Sequence, residues 1–234
     1  MAKFIDYKVY NGFDNMRIDS EILSQSIENH EKEPVIRFYG WSPACVSFGR
    51  NQEETHINKD ICEQNNIDTV RRVTGGRGLL HDDELTYSFV CPVDYLQNGK
   101  SIIKSYKEIS SAIIEGFKLL DVELELGGKK QVNTSFDYCM SISTGADLCF
   151  GDKKLIGSAQ YRTQGYLLQH GSILFSYDET LINNIFNEKM DANTITCMKE
   201  INPLLTRNDV AEAMLNGFKN YFNLSFWSEF CCVK

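Results

Sequence analysis

The hydrophobic period of the chain changes between residues 91 and 102, and few architectures accommodate that change. Leu85, Tyr87, Phe89 and Cys91 alternate with Thr86, Ser88 and Val90, the two-residue repeat of a strand. From residue 102 onward the spacing becomes three and four: Ile102, Tyr106, Ile109, Ile113, Phe117 and Leu120. Residues 101–120 are therefore expected to form an amphipathic helix with one buried face. Further segments repeat the mixture. Residues 146–162 read as an antiparallel pair turning at Gly151-Asp152, a good two-residue hairpin turn. Residues 166–177 read as another strand region, broken at Gly171. Upstream, Val35 to Gly49 suggests two strands turned at Trp41-Ser42-Pro43, and Asn58 to Asn65 a short helix. Asn15 to Glu31 is polar and mildly periodic, an exposed helix. Thr206 is placed to cap a last helix with Val210, Met214, Leu215, Phe218 and Phe222 on its apolar face. Strands in succession with separate helices predict an α+β (α/β) fold around a mixed, mainly antiparallel sheet.

The chain has 234 residues, 42% of them hydrophobic. That suffices for one sizeable core, so one domain over residues 1–234 is expected. No apolar stretch reaches membrane-spanning length. The first residues, MAKFIDYKVYNG, lack the charged-then-apolar order of a signal peptide, and they are not Arg- and Ser-rich like a transit peptide. The cytoplasm is the expected compartment, with no membrane partner. Cysteines stand at positions 45, 62, 91, 139, 149, 197, 231 and 232, with no CxxC pair. In a chain this long they are expected as buried free thiols, and the adjacent Cys231 and Cys232 as incidental. A net charge of −8 argues against nucleic acid as a partner. The basic residues are nonetheless clustered, with Arg71, Arg72 and Arg77 in one stretch and Lys153, Lys154 and Arg162 in another. If the two meet in space, an acidic protein carries a local positive patch.

Residues 71–90, RRVTGGRGLLHDDELTYSFV, concentrate charge and backbone freedom against one strand. Gly75 and Gly76 let the chain approach a ligand closely, and the flanking arginines offer forked donors for a carboxylate or phosphate. The same residues also suit an ordinary turn with solvated arginines. The stretch is no P-loop, because the Gly-Lys-Ser/Thr ending is absent. His81-Asp82-Asp83-Glu84 contains metal-ligating types, but no second ligand cluster accompanies it. A solvated turn with a structural histidine is expected, and no metal. Cys139 lies in SFDYCMSIST. A cysteine becomes a nucleophile where nearby positive charge favours the thiolate, and Lys154 supplies that charge if the hairpin folds back over it. Taken alone, Lys154 reads as an exposed hairpin lysine beside Lys153. Strict alternation puts Lys154, Ile156, Ser158, Gln160 and Arg162 on one strand face. Small residues at Gly157, Ser158 and Ala159 would admit a ligand or another backbone.

Together these stretches resemble the lipoate-protein ligase A and LipM-type octanoyltransferase superfamily, part of the biotin/lipoate A/B protein ligase family. RRVTGGRGLLHDDELTYS is similar to its arginine-glycine-histidine motif. KLIGSAQYR followed by LLQHGSI is similar to its lysine strand and the histidine-glycine strand after it. NMRIDS and RFYGWSPACVSFGRNQ also fit. The resemblance covers roughly residues 4 to 222 and implies a mixed sheet flanked by helices, like a biotin/lipoyl ligase catalytic domain. It further implies attachment of lipoate, or its octanoyl precursor, to a lysine of a lipoyl domain.

Within the superfamily the transferase branch fits better. Glu84-Leu85 stand where ligases tend to have Gly-Asn. Cys139 falls at the expected distance before Lys154, and little chain follows the last helix. The transferases usually have Cys-Phe where this chain has Cys139-Met140, and Ser135-Phe136-Asp137 offers another alignment. Arg17 and Ser20 depart from the usual NMA-x-DE pattern. The resemblance implies Cys139 and Lys154 as catalytic residues. Arg72, Gly75, Gly76, Arg77, His81, Gly157, Ser158, Ala159, His170 and Gly171 are implied to bind the acyl substrate. It implies octanoyl-acyl carrier protein as donor and a lipoyl domain as acceptor, either the glycine cleavage H protein or a 2-oxoacid dehydrogenase E2. No cofactor is implied, and ATP with magnesium only if the chain is a ligase. An amidotransferase acting between lipoyl domains, and a non-catalytic acyl-domain binder, remain as further readings.

Overall fold

The computed structural model describes residues 1–128, 138–141 and 147–229. Its strands are β1 (Ala2–Tyr10), β2 (Val35–Trp41), β3 (Cys45–Phe48), β4 (Asp68–Arg71), β5 (Leu79–His81), β6 (Glu84–Pro92), β7 (Glu125–Leu126), β8 (Leu148–Phe150), β9 (Lys153–Thr163), β10 (Tyr166–Leu174) and β11 (Phe226–Glu229). Its α-helices are α1 (Gly12–Glu28), α2 (Lys59–Gln64), α3 (Ile102–Lys118), α4 (Glu179–Phe186), α5 (Met198–Ile201) and α6 (Arg207–Phe222). The large sheet has the order β11-β1-β2-β6-β10-β9-β8-β7, and β4-β3-β5 form a small second sheet. β1 runs parallel to β2 and β11, and the remaining pairs of the large sheet are antiparallel. The mixed, mainly antiparallel α/β architecture is the expected one.

The helices begin where side chains satisfy their first amides. Ser101 caps α3 by accepting from Lys104 N–H. Thr206 caps α6 in a reciprocal capping box with Asp209. The apolar face of α3 meets α6 over one side of the sheet. Ile109, Ile113, Phe117, Met214 and Phe218 there close a core with Phe38, Leu85, Tyr87 and Phe89. Val46, Phe48, Leu79, Leu80, Ile182 and Phe186 form a second core under the small sheet.

Four expectations about elements need correction. The segment read as an exposed helix is α1, and it buries Asn15, Met16, Asp19, Ile22, Leu23 and Ser26. Its polar buried residues disguise the inward face. The two strands at Val35–Gly49 are real, but they do not pair with each other. The turn at Ser42-Pro43 carries the chain out of the large sheet and into the small one. β10 is unbroken at Gly171, which sits opposite Ser158 on β9 and Tyr87 on β6. A side chain there would meet Ser158 Oγ and Tyr87 Cε1, each at 2.6 Å, so glycine permits close approach rather than ending the strand.

The fourth correction concerns β9. The hairpin turns at Gly151, with φ +55°, as expected. The register then slips: Cys149 pairs with Lys154, whereas Leu148 pairs with Ile156. Leu155 is therefore the extra residue of a β-bulge. The bulge removes Lys154 from the face shared by Ser158, Gln160 and Arg162. A Cβ at Gly157 would lie 3.4 Å from Lys154 Nζ, so Lys154 shares the side of Gly157. Of the earlier readings, Cys231-Cys232, Ser135-Phe136-Asp137 and the strand start at residue 146 lie outside the described residues. Among the described residues, no helix is long and apolar enough to cross a membrane.

Candidate active site

Cys139 opens a single turn of 3-10 helix, Cys139–Ser141. The turn is pinned from both sides. Tyr138 and Met140 are buried in the second core, and Cys139 N–H donates to the Gly78 carbonyl at 2.8 Å. Between these anchors the Cys139 side chain is only half-buried. The other described cysteines, Cys45, Cys62, Cys91, Cys149 and Cys197, are buried. Burial pushes the thiols of Cys45, Cys62, Cys91 and Cys197 above the ordinary range, which keeps them protonated and unreactive.

Lys154 is not an exposed hairpin lysine. It is 1% exposed, and its Nζ donates to the Cys139 carbonyl at 3.0 Å and approaches Asp147 Oδ1 at 3.2 Å. The bulge at Leu155 directs the ammonium here. Beyond it, Gly157, Ser158, Ala159, His170, Gly171 and Ser172 line a narrow apolar cavity that Cys139 also borders. Hydrogen bonding along one edge of β9 is taken up by β10. β8 covers the other edge only as far as Ile156. The strand edge beyond residue 156 thus runs past the cavity with no strand partner among the described residues.

Two buried histidine networks support the cavity wall. His81 lies flat against Trp41, with ring centroids 3.9 Å apart and planes at 13°. Its Nε2 meets Ser47 Oγ at 2.7 Å and its Nδ1 meets Glu84 Oε1 at 2.9 Å. Glu84 Oε1 also accepts from Ser172 Oγ at 2.8 Å and from Thr86 Oγ1, and Thr86 Oγ1 accepts from Trp41 Nε1 at 2.8 Å. Since the carboxylate only accepts, His81 carries its proton on Nδ1, and Ser47 donates to Nε2. His81 and Glu84 are 5% and 1% exposed. The solvated turn expected here is thus a buried dyad, and only Asp82 is exposed.

In the second network, His170 Nδ1 meets Asp19 Oδ2 at 3.1 Å and Nε2 meets Thr74 Oγ1 at 2.7 Å. Asp19 also accepts from Arg37 Nη1 at 2.7 Å and from Tyr39 OH at 2.9 Å. Burial, the largest influence, lowers the His170 imidazole below its ordinary value, and Arg72 and His81 push in the same direction. Burial acts to raise Asp19, but Arg37 and His170 overcome it and hold the carboxyl below the usual range. A neutral His170 donating from Nδ1 to an ionised Asp19 satisfies every contact.

Arg72 joins the two networks. Its Nη1 donates to Ser47 O and Ser47 Oγ, its Nε to Thr74 Oγ1, and its Nη2 to Gly75 O and Arg77 O. It borders the cavity but spends its fork on its own loop. Gly75, Gly76 and Arg77 do not border the cavity. Gly76 adopts φ +97° and its carbonyl lies where a Cβ on Gly49 would stand, 1.8 Å away. The missing side chain of Gly49 therefore lets the two loops touch at Gly76. The expected positive patch is not assembled either. Arg71 binds Glu54 and the carbonyls of Gly49 and Gln52, Arg162 binds Gly99 O and Ser105 Oγ, and Arg72 and Lys154 are buried.

Of the residues singled out from the sequence, Cys139, Arg72, His81, Gly157, Ser158, Ala159, His170 and Gly171 surround one cavity, and Lys154 stands behind Cys139. Asp147, Glu84, Ser47, Asp19 and Thr74 escaped that reading. Asp19 follows Asn15 by four residues on α1, one helical turn, and Glu84 is the last of an acidic triplet.

A sequence model of the lipoyl protein ligase A/B catalytic domain matches residues 11–219. The chain is 35% identical over 239 residues to octanoyltransferase LipM of Clostridioides difficile strain 630, covering 96% of this chain and 88% of that protein. It is 36% identical over 231 residues to octanoyltransferase LipM of Exiguobacterium sp. strain ATCC BAA-1283 / AT1b, covering 91% and 83%. Among solved structures, lipoate-protein ligase A bound with ATP superposes with a TM-score of 0.79 at 20% identity, covering 98% of this chain and 89% of that one. At that identity the likeness shows the fold.

Proposed function

We propose, from the premise that this chain belongs to the lipoyl protein ligase A/B catalytic domain family, that it transfers octanoate through a thioester on Cys139. The chain is an octanoyltransferase of lipoate biosynthesis, as its LipM relatives are along nearly their whole length, and its acceptors are lipoyl domains. The observation that carries the Cys139 assignment is the half-buried thiol on a pinned turn. A buried ammonium is bonded to that residue's own carbonyl, and the thiol borders an apolar cavity.

The reaction has two steps. The Cys139 thiolate attacks the carbonyl of an octanoyl thioester on acyl carrier protein. A carbon–sulfur bond forms to Cys139, the carrier's carbon–sulfur bond breaks, and the carrier thiolate leaves and takes up a proton. A lipoyl-domain lysine amine then attacks the acyl-enzyme. The amide forms, the amine loses a proton, and the Cys139 thiol is restored. Lys154 supplies fixed positive charge beside the turn, and the strand edge of Gly157–Ala159 offers backbone donors for the developing oxyanion. His81, His170 and Arg72 hold the wall. Gly75, Gly76 and Arg77 hold the loop that Arg72 braces. The acyl-enzyme draws its energy from the incoming thioester, so ATP has no part in the transfer. One domain in the cytoplasm suffices for this chemistry.

Intact-protein mass spectrometry after mixing with octanoyl-acyl carrier protein, without ATP, tests the proposal. One hydroxylamine-labile octanoyl adduct is expected on the wild type and none on Cys139→Ser. A wild type that stays unmodified, but attaches free octanoate to a lipoyl domain when ATP is added, would make it a ligase instead.

A further inference from the structure

Arg71, Arg72 and Arg162 spend their donors inside the fold, so they do not explain how an acyl carrier is captured. A different basic surface lies where α3 begins. Lys100, Lys104 and Lys107 are exposed and make no ion pair among the described residues. Lys104 and Lys107 are one turn apart and share a helix face. Between and beside them stand Ile102 and Ile103, 58% and 69% exposed, at the start of a helix whose first turn contains no acidic residue. Glu108, the acid nearest along the helix, makes no ion pair with them. Its two oxygens accept from Gln97 N–H and Asn98 N–H at 2.9 and 3.1 Å. Asp94 is the acid that borders the same hollow, with Lys100 and Lys104.

This surface is tied to the active site by β9. Arg162 Nη1 donates to Gly99 O at 2.6 Å and Arg162 Nη2 to Ser105 Oγ. These bonds fix the start of α3 against the end of the strand that carries Gly157–Ala159. From Ala159 to Arg162 the strand advances roughly 10 Å.

Building on the Cys139 thioester reading, we infer that the first turns of α3, with Lys100, Lys104, Lys107, Ile102 and Ile103, are the docking face for the acidic acyl carrier that delivers octanoate. Unpaired lysines ringing an apolar pair match an acidic partner with a small apolar contact. The offset from the cavity selects the donor over the acceptor. A thioester on a long flexible prosthetic arm spans that distance, whereas an acceptor lysine side chain is too short and its domain must sit at the cavity mouth.

The test compares wild type with Lys104→Glu/Lys107→Glu and with Ile103→Ser. Affinity for octanoyl-acyl carrier protein is read by fluorescence anisotropy, using Cys139→Ser forms so that no acyl transfer intervenes. The charge reversal is expected to weaken binding about tenfold or more at low salt, with the difference shrinking as salt rises. Ile103→Ser is expected to weaken binding at every salt concentration. In the Cys139 forms, acylation by a small octanoyl thioester without a carrier should proceed alike in all variants. Transfer from preformed acyl-enzyme to a lipoyl domain should also be unchanged. Carrier affinity equal to wild type in both variants, or a loss confined to the lipoyl-domain step, overturns the docking face. Failure of the small thioester to acylate even the wild type would instead remove the Cys139 reading, while the affinity measurement still decides the docking face.

Discussion

Lys154 has its ammonium shared between Asp147 and the Cys139 carbonyl, and both charged side chains are at most 5% exposed. Removing one member of a buried pair strands the other charge, which costs more than the pair itself contributes. Lys154→Met is therefore expected to destabilise the protein by about 3 kcal/mol, read as a lower urea midpoint. Adding Asp147→Asn removes the stranded carboxylate and should recover most of that loss. The double variant should still fail to form the acyl-enzyme. If it acylates at the wild-type rate, Lys154 is a brace and not part of the chemistry. The same reasoning separates Arg72 from the residues that meet substrate: its fork holds Ser47, Thr74, Gly75 and Arg77, so its loss loosens the wall on which both histidines stand.

Two elements owe their placement to backbone contact rather than to side-chain interlock. α3 and α6 cross at Gly116 and Gly217, where a Cβ on Gly217 would stand 2.3 Å from Ala112 O and 2.4 Å from Gly116 N. Those atoms belong to a helix backbone and cannot turn aside. Gly217→Ala is expected to force the helices apart and cost about 1–3 kcal/mol, visible as a thermal midpoint several degrees lower. An unchanged midpoint would mean that the crossing relaxes freely. Arg162, bonded to Gly99 O and Ser105 Oγ, separately ties the start of α3 to β9. On β9 the bulge at Leu155 acts in the other direction. It breaks the alternation that a regular strand would keep, and so turns a lysine from the α3 side toward Cys139.

At the scale of the whole molecule, the buried His170–Asp19 network couples stability to pH. His170 is held below the ordinary imidazole value of 6.5, so the unfolded chain takes up its proton first as the pH falls. Its contribution is complete above pH 6.5 and is lost as the pH drops below that value toward the folded one. Asp19 is held below the ordinary 3.8, so its contribution is complete above 3.8 and disappears only at lower pH. Wild-type thermal midpoints should therefore fall between pH 7 and 5, then again below 4. In His170→Gln the first decline should flatten while the second persists. A variant that declines as steeply as wild type between pH 7 and 5 would assign that decline to other groups.

Periodicity determined the strand of residues 85–91, the long helix after it, the hairpin at Gly151 and the capped last helix. Each is set by local spacing and one or two terminal residues, and needs no knowledge of neighbours. The family resemblance of the quoted stretches, not periodicity, singled out Cys139, Lys154, His81, His170 and the Gly157–Ala159 run. Tertiary structure alone decided what these residues contact. α1 looked exposed because its inward face includes Asn15, Asp19 and Ser26, and the partners of Asn15 and Asp19, namely Arg37, Tyr39 and His170, lie far along the chain. The bulge at Leu155 arises from pairing with β8, and no residue of β9 announces it. The arginines looked like a surface for anions because composition counts charges without their acceptors. In the fold those acceptors are backbone carbonyls together with Glu54, Gln160 and the hydroxyls of Ser47, Thr74 and Ser105, which only a structure positions.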